Sequence, residues 1–366
     1  MASSMESPLP HDVVELIMER LPAKSLMRFM AVSNQWKSTI ESPFFQERQL
    51  KHRQQSGDPD VLMVSIHIGT VMETARTLVL GSSSSVKIPT PWDKSHLVCQ
   101  SSCDGLVCLY NTHVESEPGF VFNPTTRWHR SLPLCELQQL IISLGNSYYR
   151  LRHGMCHFGF GKDKFTGTYK PVCLYNSSEI GREDATTCEV FDFSTDSWRY
   201  VTPSAPYRII TLPDPAYVDG SLYWFTECEE TKVVSFDLHT ETFQVVAKAP
   251  FADAPVQEIV MCDLNNRLCV SLKKGSNQVI WSFNSGNKTW DTMCSIDLGF
   301  VSSLFVIPPI VCALRPLSLL DGEKKHCVSH EALMTYDLET KSYDSAFSAD
   351  SIGNPLCYFP SLFSVS

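Results

Sequence analysis

Fourteen cysteines, eleven histidines and forty acidic residues supply raw material for a metal site or a nucleophile in this 366-residue chain. Spacing decides whether either is built. Cys99, Cys103 and Cys108 lie close together and His326-Cys327 lies near His330, but neither group has zinc-finger spacing and no CxxC pair occurs. His330-Glu331 is not followed by the second histidine of a zinc protease helix. There is no G-x-S-x-G elbow and no phosphate loop. Gly159-Phe160-Gly161 lacks the third glycine of a dinucleotide fingerprint and reads as close strand packing. Asn176-Ser177-Ser178 and Asn287-Lys288-Thr289 are glycosylation sequons in form only, because nothing points to export. The residue pattern therefore leads to an expectation of no catalytic residue, no cofactor and no metal.

Bulk properties narrow the classes further. Hydrophobic residues make up 43% and charged residues 19%, so a folded protein with a sizeable core is expected rather than a disordered one. The net charge is −10 and arises beyond residue 55, where 23 Lys/Arg face 34 Asp/Glu, the first 55 residues being close to neutral. That balance argues against a nucleic-acid surface. The N-terminus has no basic stretch followed by an apolar run, so no secretory signal is expected. The apolar stretch from Leu298 to Leu314 is broken by Pro308-Pro309 and reads as two buried strands around a turn rather than as a membrane span. Cytoplasm or nucleus is the expected location, with cysteines reduced and mostly buried.

Two periodicities divide the chain. Over residues 8–53 the period is helical: Leu9, Val13, Leu16, Ile17 and Leu21 recur on one face, with Pro22 ending the helix. A second helix is expected across Leu26–Val32, where nearly every position is apolar, so it must be covered on more than one side. A third carries Trp36 and Ile40, and Ser42-Pro43 reads as an N-cap followed by proline at the first helical position of a fourth. A unit this small cannot bury that much apolar surface alone. Either the rest of the chain or another protein must cover it.

From about residue 60 the period becomes two, as in Val61–Ile66, Leu106–Tyr110 and Ser221–Phe225. One turn signature recurs: Asp163-x-x-Thr166-x-x-Tyr169, then the same pattern from Asp192, Asp237 and Asp337, with variants at Asn123 and Asn284. Asp or Asn can accept a backbone hydrogen bond two residues on, and the aromatic can anchor the returning strand. A tighter turn precedes it at Asp104-Gly105, Asp219-Gly220, Asn265-Asn266 and Asp321-Gly322, and more loosely at Asn146 and Asn176. About six two-hairpin units result, the arrangement of a propeller. The 29 residues between Asp163 and Asp192 are too few for a full blade, and a β-sandwich pair is the alternative.

The helical segment resembles the F-box through Leu9-Pro10-x-Asp12-Val13, Ile17-x-x-Arg20-Leu21-Pro22-x-Lys24-Ser25-Leu26-x-Arg28-Phe29, Val32-Ser33, Trp36 and Ser42-Pro43-x-Phe45. Its departure is Asn34-Gln35, where a basic residue is usual. The remainder resembles the F-box-associated, kelch-like domain of plant F-box proteins. The match runs through Ser102-Cys103-Asp104-Gly105-Leu106-Val107-Cys108, Phe122-Asn123-Pro124-Thr125-Thr126, Asp196-Ser197-Trp198-Arg199 and Tyr358-Phe359-Pro360-Ser361-Leu362, although kelch double glycines are missing.

The resemblance implies an α+β multidomain protein: a helical F-box at 1–53, a linker with first strands at 54–94, and an all-β, six-bladed kelch-like propeller at 95–366. It further implies a non-catalytic substrate receptor of a Skp1-cullin-F-box ubiquitin ligase, with a Skp1-type adaptor and, through it, cullin as partners. Leu9, Pro10, Val13, Ile17, Leu21, Pro22, Leu26, Phe29, Val32 and Trp36 are the expected adaptor surface together with the small core beneath it, the two roles not being separable in sequence. The substrate site is not assigned to residues. A scaffold that binds the adaptor without driving ubiquitination, or a propeller enzyme, is the alternative class.

Overall fold

The computed structural model describes residues 9–365 except 69–70, 80–84, 91, 93–96, 111–116, 145–155, 181–184, 211–213, 253, 300–312, 320–323, 329–331 and 354. Four helices come first: α1 (His11–Met18), α2 (Ala23–Phe29), α3 (Asn34–Glu41) and α4 (Pro43–Ser56). The caps follow the residue types. Ser33 Oγ accepts from Trp36 N at 3.1 Å, Ser42 Oγ accepts from Phe45 N at 3.3 Å, and Pro43 opens α4. The second helix is shorter than its apolar run. It stops at Phe29, and Met30–Val32 form the turn into α3, because Ser33 nucleates the next helix only four residues on.

The strands that follow form six four-stranded antiparallel sheets. The second sheet comprises β4 (Leu97–Cys103), β5 (Leu106–Tyr110), β6 (Phe120–Phe122) and β7 (His129–Ser131). A helix, α5 (Glu136–Leu144), leads to the third: β8 (Cys156–Lys162), β9 (Tyr169–Asn176), β10 (Thr186–Asp192) and β11 (Ser197–Val201). The fourth holds β12 (Ala216–Val218), β13 (Ser221–Phe225), β14 (Lys232–Asp237) and β15 (Thr242–Lys248). The fifth holds β16 (Ile259–Asp263), β17 (Leu268–Lys274), β18 (Asn277–Asn284) and β19 (Thr289–Asp297). The sixth holds β20 (Arg315–Leu319), β21 (Lys324–Val328), β22 (Ala332–Asp337) and β23 (Tyr343–Ser348).

The first sheet joins the two ends of the β region. Here β1 (Asp60–Ile68), β2 (Val71–Val79) and β3 (Ser85–Lys87) pair with β24 (Leu356–Tyr358), Asp60 standing opposite Tyr358. Strands β1 to β3 thus complete a sheet with residues almost 300 positions away. The inner strands β24, β4, β8, β12, β16 and β20 touch in succession and close into a ring. A hydrophobic cluster fills each junction between neighbouring sheets; at the first, Leu62 and Val64 meet Val107, Leu109 and Phe122. The architecture is an all-β propeller preceded by a small helical region.

Both turn signatures are built as their chemistry requires. Asp104-Gly105, Asp219-Gly220 and Asn265-Asn266 connect the first and second strands of their sheets with positive φ at both residues, the twist-matched hairpin turn. Asn123, Asp163, Asp237, Asn284 and Asp337 each accept backbone N–H bonds from the residues two and three positions on, and Asp192 accepts from Ser194 N at 2.8 Å. The short gap at 163–192 has a simple cause. Asp163 turns β8 into β9 and Asp192 turns β10 into β11, so one sheet carries the signature at both hairpins. Asn176 is not a turn residue; it is buried at the end of β9, where its side chain donates to Ile209 O at 3.0 Å and accepts from Ile209 N at 2.8 Å. Asp321-Gly322, Asn146 and most of the Leu298–Leu314 run lie outside the described residues.

Candidate functional site

The helical unit packs around a core of Met18, Ala23, Leu26, Ile40, Phe45 and, from the far end of the chain, Leu362, with Val14, Leu21, Met27, Phe29, Met30 and Trp36 packed partly against it. Phe29 and Trp36 meet ring to ring at 5.4 Å. Arg48 ties α4 to α1 through Glu15 at 3.2 Å and through Glu19, and Gln49 Nε2 donates to Leu21 O at 3.1 Å. His11 and Thr39 side chains join α1 to α3 at 3.0 Å.

With that core filled, a second apolar set remains outside. Leu9 is 63% exposed and Val13, Leu16 and Ile17 are exposed beyond it, on one side of α1 at positions four, three and one apart. Val32 is 61% exposed on the turn after α2, and Phe44 is 64% exposed with the Arg48 guanidinium 5.0 Å above its ring. Burial divides the ten residues singled out in the sequence. Leu26 is fully buried, while Leu21, Phe29 and Trp36 are part-buried supports. Leu9, Pro10, Val13, Ile17, Pro22 and Val32 face solvent. Leu16 and Phe44 belong to the exposed set as well; the helical spacing of Leu16 signals its place, whereas Phe44 beside buried Phe45 carries no such signal. Asn34 and Gln35, the departure from the F-box pattern, are exposed in the first turn of α3 and leave the core untouched.

The β domain offers a concave site of another kind. A cavity of about 1210 Å³ opens at the end of the ring nearest α4, lined by Ser101, Asp104, Lys162, Tyr217, Asp263 and Arg315 among others. Part of its wall is internally paired. Lys162 Nζ lies 2.7 Å from Asp104, which also accepts from Tyr169 Oη at 2.8 Å, and Tyr217 Oη donates to Lys162 O at 2.9 Å. Burial disfavours the Lys162 charge, yet the Asp104 carboxylate raises its pKa above the ordinary value. Asp263 also lines it, and the protein around its carboxyl raises its pKa to about 6.

Three other titratable groups are raised by burial. Burial pushes Cys188 and Cys357 up, the latter to about 12, the opposite of an activated thiolate. Glu189, raised by burial, accepts from the backbone N–H groups of Glu136 and Leu137 and from Tyr175 Oη, and so caps the start of α5. Gly159 and Gly161 serve close packing. A Cβ on Gly161 would fall 2.3 Å from the Tyr217 ring, and one on Gly159 2.6 Å from Leu222. Among the described residues no three His, Cys, Asp or Glu side chains are grouped to hold a metal, and no helix is long and apolar enough to cross a membrane. The His326, Cys327 and His330 side chains and that of Cys99 lie outside the described residues.

Comparison with known proteins agrees with this division. Residues 7–47 match the F-box domain, and residues 59–365 match the F-box associated beta propeller domain. An Arabidopsis thaliana F-box/LRR-repeat/kelch-repeat protein is 64% identical, covering 99% of this chain and 98% of its own length. Two Arabidopsis thaliana F-box proteins are each 50% identical, covering 98% and 99% of this chain and 99% and 86% of theirs. The chain belongs to the plant F-box proteins that join an F-box to an F-box-associated β-propeller.

Proposed function

We propose that this chain is the substrate-recognition subunit of a Skp1-cullin-F-box ubiquitin ligase. The carrying observation is the exposed apolar set Leu9, Val13, Leu16, Ile17, Val32 and Phe44, which stands outside a helical core that is already filled. Large apolar side chains on a small unit are kept where a partner covers them. Leu9, Pro10, Val13, Ile17, Pro22 and Val32 are the residues we assign to direct adaptor contact, and Leu21, Leu26, Phe29 and Trp36 to the core that shapes it. Cullin joins through the adaptor.

On this reading residues 1–53 bind the adaptor and the propeller, its six sheets taken as six blades, presents a target protein. Residues 54–94 then divide between a short link and the strands that open the first blade. The chain supplies no acid, base or nucleophile. Its contribution to rate is tethering, which raises the effective concentration of a substrate lysine beside the charged ubiquitin-carrying enzyme. Cytoplasm or nucleus is the proposed location.

The test is affinity purification from plant cells with the proteasome blocked, comparing residues 1–366 with a version lacking residues 1–55. Loss of adaptor and cullin on truncation, with other partners retained and ubiquitinated, is the expected result. Adaptor capture without ubiquitination of any retained partner would leave a scaffold instead.

A further inference from the structure

Residues 359–365, which follow the last strand, do not end against the β domain alone. Leu362 is 7% exposed and belongs to the core of the helical unit, against Met18, Ala23, Leu26, Ile40 and Phe45. The next residue, Phe363, belongs to a different core, that of the second and third sheets, where it meets Leu50 of α4 together with Cys103, Leu106 and Phe160. Phe359 and Val365 pack against the same cluster, and the Lys162 ammonium sits 5.5 Å above the Phe363 ring.

The backbone between these side chains is held from below. Asn123 is fully buried; its Oδ1 closes its own turn on Thr125 N and Thr126 N, and its Nδ2 donates to Phe363 O at 2.9 Å and Ser361 O at 3.2 Å. Gly105 is required beneath the same segment. Its φ is +77°, and a Cβ there would lie 2.4 Å from Phe359 O. The Asn123 turn thus closes its own hairpin and also clamps the chain that fills the helical core.

We propose that residues 359–365 splice the two units, with Leu362 and Asn123 as positioning residues that hold the adaptor face at a fixed orientation over the propeller. This rests on the adaptor reading above. A unit of four short helices is marginal alone, and here its core is completed by a residue more than 300 positions away. The adaptor face is then shaped only in a chain that carries this segment, and tethering acts through one rigid body instead of a loose pair.

The experiment is amide hydrogen exchange on the chain without adaptor, comparing wild type with Leu362→Ala, Leu362→Met and Asn123→Ala. Leu362→Ala is expected to speed exchange in α2, α3 and α4 at least tenfold while β5, β9 and β14 stay as slow as in wild type, with Leu362→Met close to wild type. Asn123→Ala is expected to speed exchange in residues 359–365 and α4. Unchanged exchange in the helices of Leu362→Ala overturns the splice, since the unit would then hold itself. If alanine unfolds the whole chain, the smaller deletion Leu362→Val decides, the helices loosening before the sheets or the proposal failing. Adaptor capture is measured alongside with a purified plant Skp1. Leu362→Ala is expected to weaken it at least threefold even though Leu362 is buried, and loss of capture in Leu9→Ala/Val13→Ala with normal exchange isolates the surface. No adaptor capture by wild type refutes the adaptor reading, and the exchange result still judges the splice.

Discussion

In the helical unit, Leu9, Val13, Leu16, Ile17, Val32 and Phe44 stand in solvent within 36 residues of one another, whereas the β domain scatters seven exposed large hydrophobics over the rest of the described chain. The difference follows from geometry. A ring of six sheets gives every apolar sheet face a neighbour, so the clusters at its junctions absorb what the strands supply. Four short helices enclose one small core and have no closed solution for a second apolar side. Exposed apolar side chains are therefore concentrated on the helical unit, where the proposed adaptor would cover them, and dispersed singly around the ring.

The largest expected effect tests whether the helical core and surface are separable. Leu26→Ala should cost about 2–5 kcal/mol, as for other buried leucines, and should abolish adaptor capture with the sheets still folded; melting followed by exchange in both regions reads it. Equal loss in both regions would remove the contrast.

The β domain carries an acid liability. His157 is 3% exposed with Nε2 lacking a hydrogen-bond partner, and burial pushes its pKa down to about 4. The unfolded chain takes up this proton near pH 6.5 and the folded chain resists until about pH 4. Stability from this group is therefore present above pH 6.5 and lost as pH falls through that window, by up to about 3 kcal/mol. Burial raises Asp214 to about 6, which acts in the opposite sense between pH 6 and 4. The readout is the denaturant midpoint of wild type minus that of His157→Leu, expected to fall from pH 7 to pH 4. A constant difference would refute it.

The surface pair Leu9→Ala/Ile17→Ala sharpens the comparison from the other side. Adaptor affinity, measured by calorimetry, should fall about 10- to 100-fold, while stability moves by no more than about 0.5 kcal/mol because neither side chain is in the core. The smallest effect is expected at a β-domain turn. Asp237→Ala removes the acceptor for His239 N at 2.9 Å and Thr240 N at 2.8 Å and should cost about 1 kcal/mol, with adaptor affinity unchanged.

The residues alone determined the helix caps at Ser33 and Ser42, the two hairpin signatures and the F-box apolar set, because caps and turns are local chemistry that a few neighbouring side chains decide. A third regularity escaped reading. The residue four places after each Asx position, from Arg127 and Gly167 to Asp196, Glu241, Lys288 and Lys341, has positive φ, yet six positions show five residue types and so no signature. Other features were set only by long-range packing: the pairing of β1 with β24, the burial of Asn176, and the partition of Leu26 from Leu9. Their common cause is that burial and strand pairing depend on what arrives from elsewhere in the chain. Leu362 is the clearest instance, an ordinary apolar residue in sequence that reaches the helical core only because the ring of sheets closes and delivers it there.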